Sequence, residues 1–193
     1  MRKDRLLAFS DGVFAIIITI MVLELKVPHG GDLSALLPVV PVFVSYVLSF
    51  IYVAIYWNNH HHMLELVQRI NGACLWANMF LLFWLSLVPF ATGWMGETHF
   101  ATWPTALYGA TLLLPAISYT LLQRVLIAAH PDNARLGAAI GRDTKGKFSL
   151  LIYATGIAVA LYNPWISLAL YTLVALIWLV PDRRIERVVA NVD

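Results

Sequence analysis

Six apolar runs, separated by short polar connections, dominate this sequence of 193 residues and leave it few places to fold other than a bilayer. They fall at about 6–26, 36–58, 72–95, 101–128, 148–162 and 165–180, most of them near the length a helix needs to cross about 30 Å of hydrocarbon. Only 12% of the residues are charged, against about 25% in an ordinary soluble domain. The pattern predicts an all-α integral membrane protein, multi-pass, with one six-helix domain over residues 1–193. The last two runs are short and meet at Asn163-Pro164, where a proline without an N–H donor reads as a tight turn between two helices. The basic, apolar N-terminus begins like a secretory signal, but Asp11 and Glu24 interrupt the run and no small-residue cleavage site follows.

Charge orients the helices. Twelve of the thirteen basic residues lie before the first run (Arg2, Lys3, Arg5), between the second and third (Arg69), around the connection from fourth to fifth (Arg124, Arg135, Arg142, Lys145, Lys147) or after the sixth (Arg183, Arg184, Arg187). Lys26 alone is left for the opposite side. The positive-inside rule then makes both termini cytoplasmic and requires an even number of crossings, which supports the Asn163-Pro164 reversal. The long basic connection, 129–147, reads as a solvated loop touching anionic lipid, and nothing points to nucleic acid. A single cysteine, Cys74, lies in an apolar segment and reads as a packing residue, since neither a disulfide framework nor a multi-cysteine metal site can be built from it.

The first helix carries most of the chemistry. Asp11 and Glu24 bracket 12 uncharged residues, a rise of only about 18 Å, too short for a span that faces lipid. Taking Ile16 as zero on a wheel of about 100° per residue, Ile20 falls near about +40°, Leu23 about −20°, Thr19 about −60° and Gly12 about −40°. Asp11, at about −140°, and Ser10, at about +120°, point elsewhere. An apolar face around a narrow axis, with Ser10 and Asp11 anchoring the helix to its own subunit, satisfies both halves of that wheel. Arg5 is ambiguous, because the wheel puts it near the apolar face. For anchors, the second helix offers a polar stripe, Ser45, Ser49, Tyr52, Tyr56 and Asn59, and a polar end, Trp57-Asn58-Asn59-His60-His61-His62. The third offers Asn71, Trp76 and Asn78. Arg5, Asp11, His60, His61 and Asn78 are expected at one depth.

Arg5-x-x-x-Phe9-Ser10-Asp11, running on as GVFAIIITIMVLEL, resembles the prokaryotic branch of the lysosomal potassium channel family, transmembrane protein 175. The second helix ending Tyr56-Trp57-Asn58-Asn59-His60-His61, the third with Trp76, Asn78 and Pro89-Phe90, and Tyr108-Gly109 on the fourth are similar to the same family. The resemblance implies six helices per subunit and a homotetramer in the cell membrane whose central pore, lined by the first helix, passes potassium. Eukaryotic members carry two copies of the motif per chain, so two of those chains correspond to four of these. It further implies a hydrophobic constriction at Ile16, Ile20 and Leu23, with Thr19 as the polar position tied to selectivity. Phe9, Ser10 and Asp11 are implied to hold the helix in place, together with Arg5, Trp57, Asn59, His60, His61 and Asn78. His62 departs from the family pattern by extending a histidine pair to three.

Other readings of these residues stay open. Three consecutive histidines suggest a metal, but they point about 100° apart on a helix and have no cysteine or HExxH partner, so hydrogen bonding or proton sensing suits them better. Neither metal nor cofactor is expected beyond the permeant potassium. A secondary transporter coupled through Asp11 is the alternative function, although no inverted repeat or matched pair of broken helices accompanies it. For an enzyme there is no nucleophile with a placed base.

Overall fold

The protein is described by a computed structural model over residues 3–133, 136–137 and 143–179. Those residues are all-helical: α1 (Lys3–Leu23), α2 (Val40–Glu65), α3 (Gly72–Leu85), α4 (Val88–Glu97), α5 (Thr102–Ala129), α6 (Thr144–Ala160) and α7 (Pro164–Leu179). A 3-10 turn, Leu33–Val39, leads into α2. Taking α3 and α4 as one kinked segment gives six, of which the first four are long and apolar enough to cross a membrane. The last two helices have 17 and 16 residues. Of the basic residues used to orient the chain, Arg2, Arg135, Arg142, Arg183, Arg184 and Arg187 lie outside the described residues.

Where helix ends differ from the apolar runs, local chemistry explains it. The first helix stops at Leu23 rather than at 26, ahead of Pro28, which has no N–H for Glu24 O and whose ring would strike that carbonyl in a continuing helix. The second begins at Val40 rather than 36, with Pro41 in its first turn, where the missing N–H costs nothing. At its other end it runs past 58 to Glu65, because the polar segment completes its own helical bonding: Asn59 Nδ2 donates to Ile55 O at 2.8 Å and His61 Nε2 lies 3.1 Å from Glu65 Oε1. Hydropathy locates the bilayer segment and not the helix. The third run breaks at Ser86-Leu87, since Pro89 lacks an N–H and its ring would strike the carbonyl of Leu85 one turn earlier. Pro115, by contrast, is absorbed inside an unbroken α5. The chain reverses at Asn163, whose Oδ1 accepts from Trp165 N at 3.0 Å at the start of α7.

α1 packs on α2, α3 and α4, while α5 packs on α3, α4, α6 and α7. Two buried clusters result. One joins Leu6, Phe14, Ile17 and Met21 of α1 to Met63 and Leu64 of α2, Leu81 and Leu85 of α3 and Leu122 of α5, with Cys74 fully buried among them. The other gathers Tyr52, Tyr108, Tyr153 and Tyr171 around Met95 and Leu112. Lipid gives no hydrophobic incentive for helices to associate, so close approach and buried hydrogen bonds must hold them. Gly96 lets α4 approach α2 so closely that a Cβ there would lie 2.6 Å from Val42 Cα. Gly109 and Gly156 make room for Tyr171, whose Oη and Cε1 would collide with the added carbons.

The polar stripe of α2 serves this packing and not α1. Ser49 Oγ lies 2.7 Å from Thr92 Oγ1 and 2.9 Å from Tyr108 Oη, Tyr52 donates to Tyr171 O, and the Tyr56 ring meets Tyr119 edge-on at 6.0 Å. Period identified a buried face correctly, but it carries no information about which neighbour covers that face.

Candidate functional site

α1 is held by a three-helix hydrogen-bond chain. Ser10 and Asn78 are fully buried, and Asn78 Nδ2 donates to Ser10 Oγ at 3.0 Å. The oxygen of the same amide lies 2.6 Å from His60 Nε2, so that nitrogen carries the proton and donates. His60 Nδ1 is buried with no hydrogen-bond partner, and the ring lies 5.6 Å from that of Phe14. One asparagine on α3 therefore ties α1 to α2.

A second tether runs beside it. Trp57 Nε1 donates to Asp11 Oδ1 at 2.9 Å, and the indole stacks on His61 with centroids 6.0 Å apart. His61 in turn faces Glu65, His62 Nδ1 lies 3.6 Å from the same carboxylate, and Lys3 Nζ donates to Glu65 O at 3.4 Å. The start of α1 and the end of α2 are thereby pinned together.

Ser10, Asp11, Trp57, His60 and Asn78 meet as the sequence suggests, with His61 joining through Trp57. The other expected members do not. Arg5 is exposed and makes no hydrogen bond or ion pair among the described residues. Phe9 is half exposed on the outward side of α1. Asn59 bonds within α2, and its carbonyl accepts from Tyr119 Oη at 3.1 Å, which links α2 to α5 instead. The side of α1 that carries Ser10 and Asp11 holds the hydrogen bonds to neighbouring helices, and Arg5 and Phe9 lie on the other flank.

Among the described residues that other flank is largely uncovered. Ile16 is 57% exposed, Ile20 42% and Leu23 79%, with Gly12 and Thr19 exposed between them. Thr19 Oγ1 donates its proton to Ile16 O at 3.0 Å, which leaves its oxygen free to accept from outside the helix. Ile16 and Ile20 border a groove completed by Ser86, Pro89 and Phe90 at the kink between α3 and α4. Past the end of α1, the Glu24 carboxylate lies against α4, where a Cβ on Gly93 would be 2.9 Å from Oε2. Nothing in the spacing of Glu24 reveals that contact, though the small pair Gly93 and Gly96, three apart on α4, marks a face suited to close approach.

Comparison with known proteins follows the same motif. The family model described as "Endosomal/lysosomal potassium channel TMEM175" matches residues 5–89, which contain Ser10, Asp11, Trp57, His60 and Asn78. A protein of Chryseobacterium sp. (strain P1-3), "Potassium channel HX13_20290", is 54% identical over 187 residues, 97% of each chain. The crystal structure of a lysosomal potassium-selective channel TMEM175 homolog from Chamaesiphon minutus superimposes with a TM-score of 0.80 at 30% identity, covering 91% of this chain and 95% of that one. The human "Endosomal/lysosomal proton channel TMEM175" is 28% identical over 216 residues, 89% of this chain but 43% of that protein. A motif that ties one polar flank of α1 to α2 and α3, identity that runs through almost the whole length, and a shared fold together place this chain in the TMEM175 potassium-channel family.

Proposed function

We propose that the chain is a subunit of a potassium-permeable channel of the cell membrane, in which four copies surround a pore lined by α1. All of residues 1–193 form one membrane domain, with both termini cytoplasmic. Ile16, Ile20 and Leu23 make a hydrophobic constriction and Thr19 supplies the polar level within it. One observation carries this reading: the stripe of α1 left exposed among the described residues is the flank opposite the buried, hydrogen-bonded Ser10. A helix fastened on one side and bare on the other, with a glycine and a hydroxyl on the bare side, suits a water-filled axis. The bacterial relative of 54% identity, named a potassium channel, supports the choice of ion.

Vertebrate relatives named proton channels raise a second reading. Between Asp11 and Glu24 the bare stripe has no titratable side chain to relay a proton, which favours potassium. A transporter coupled through Asp11 would need that carboxylate to load and release an ion, whereas it accepts the Trp57 indole N–H. Discrete current steps from purified protein in a planar bilayer separate a channel from a transporter. A pH gradient without potassium, driving no current, separates potassium from protons.

Thr19 gives the selectivity test. Its free oxygen replaces part of the hydration of a potassium ion, worth on the order of 1 kcal/mol and so about a fivefold preference. Under bi-ionic potassium/sodium conditions, Thr19→Val is expected to move the reversal potential toward zero, with total current retained. Thr19→Ser should keep the wild-type value. An unchanged potential in Thr19→Val removes Thr19 from the selectivity step.

A further inference from the structure

We propose that the Glu24 carboxylate, seated against the α4 backbone at Gly93 one residue past Leu23, is the group that collects cations at the outer end of the permeation path. The inference rests on α1 lining the pore. Glu24 stays at the helix end, because its N–H bonds Met21 O at 3.3 Å and that of Leu25 bonds Val22 O at 3.0 Å, both prolonging α1 by part of a turn. A helix C-terminus already carries a partial negative charge, so a carboxylate is locally disfavoured there. Residues set against local preference are expected at functional or strained sites.

Glu24 accepts no hydrogen bond and forms no ion pair among the described residues, although Lys26 is near enough to feel it. Lys26 is engaged elsewhere: it forms an ion pair with Glu97, whose hydrogen bond and charge push the ammonium pKa up. Glu97 is thereby paired, whereas Glu24 has no such ion pair among the described residues. It borders both the apolar groove beside Ile16 and Ile20 and the outer recess that holds Lys26, His29 and His99. Gly93 is what allows the seat, since a methyl there would meet the Glu24 carboxylate. In a tetramer four carboxylates would stand around the outlet, and rings of this kind enrich cations at a channel mouth.

Such enrichment is screened by salt, with a Debye length near 30 Å at about 0.01 M and near 3 Å at about 1 M. The experiment is unitary conductance of Glu24→Gln, Glu24→Asp and wild type in symmetrical KCl at those two concentrations, with Ile16→Asn alongside. Glu24→Gln is expected to lower conductance about twofold to fourfold at low salt and to match wild type at high salt, while Glu24→Asp keeps most of the low-salt value. Wild-type conductance of Glu24→Gln at low salt, or an equal reduction at both concentrations, overturns the proposal, and so does a Glu24→Asp channel as impaired as Glu24→Gln. If Ile16→Asn alters conductance while Glu24→Gln does not, this inference alone fails. If neither variant has any effect, the assignment of α1 to the pore fails with it.

Discussion

Replacing Ile16 or Ile20 by asparagine is expected to raise basal potassium current by on the order of tenfold, the equivalent of about 1.4 kcal/mol removed from the conduction barrier. Both side chains lie on the stripe of α1 left exposed among the described residues. A ring of branched alkyl groups offers an ion nothing in place of its hydration shell, so a narrow ring shuts by expelling water. An amide at that level holds water and supplies an oxygen, and the wet state becomes the stable one. Discrimination among cations should fall at the same time, because a wetted, wider ring no longer forces dehydration. Phe14→Asn, on the buried flank, should act differently and lower the yield of folded protein, since it places an amide in an apolar cluster beside His60. The readout is macroscopic current per reconstituted channel with bi-ionic reversal potentials. Wild-type current and selectivity in both Ile16→Asn and Ile20→Asn would contradict the assignment of the constriction.

The largest effect on stability is expected at Asn78. Its amide makes two hydrogen bonds at once, one to each neighbouring helix, in a fully buried setting. Asn78→Leu fills similar space but strands Ser10 Oγ and the His60 Nε2 proton, each at a cost of about 1–3 kcal/mol. Together these approach the total stability of many folded proteins, so the variant should lose most of its folded protein in detergent and melt far below wild type. Asp11→Ala should cost less, because the Trp57 indole it releases is half exposed. Size-exclusion chromatography across a temperature series checks the order. A wild-type melting profile for Asn78→Leu would mean that the Ser10–Asn78–His60 chain does not hold α1.

The sequence announced the architecture through physics that leaves little freedom. Backbone groups in hydrocarbon must be bonded within the segment, so long apolar runs become helices wherever else they pack. Helix ends are less constrained, and Pro28, Pro41 and Pro89 set three of them where hydropathy saw continuous or shifted runs. The wheel on α1 separated Ser10 from Ile16 correctly, because direction around a helix follows from residue number alone. Partnership does not follow in that way. Arg5 and Phe9 belong to the same motif as Ser10 yet lie off the anchored flank, and Ser49 and Tyr52 hydrogen-bond to α4, α5 and α7 rather than to α1. The Glu24 seat depends on how closely α1 and α4 approach at Gly93, a distance no spacing in the sequence encodes.

The exposed stripe of α1 is expected to border the path taken by potassium. Single cysteines placed at Thr19 and Leu23, and at the buried Ile17 as a control, test it when a positively charged methanethiosulfonate reagent is applied to conducting channels, with the native Cys74 fully buried and out of reach. Modification at Thr19→Cys and Leu23→Cys should block most of the potassium current, and Ile17→Cys should be unaffected. Full current after verified modification of both exposed positions would mean that this stripe faces lipid or another subunit, and that the pore lies elsewhere.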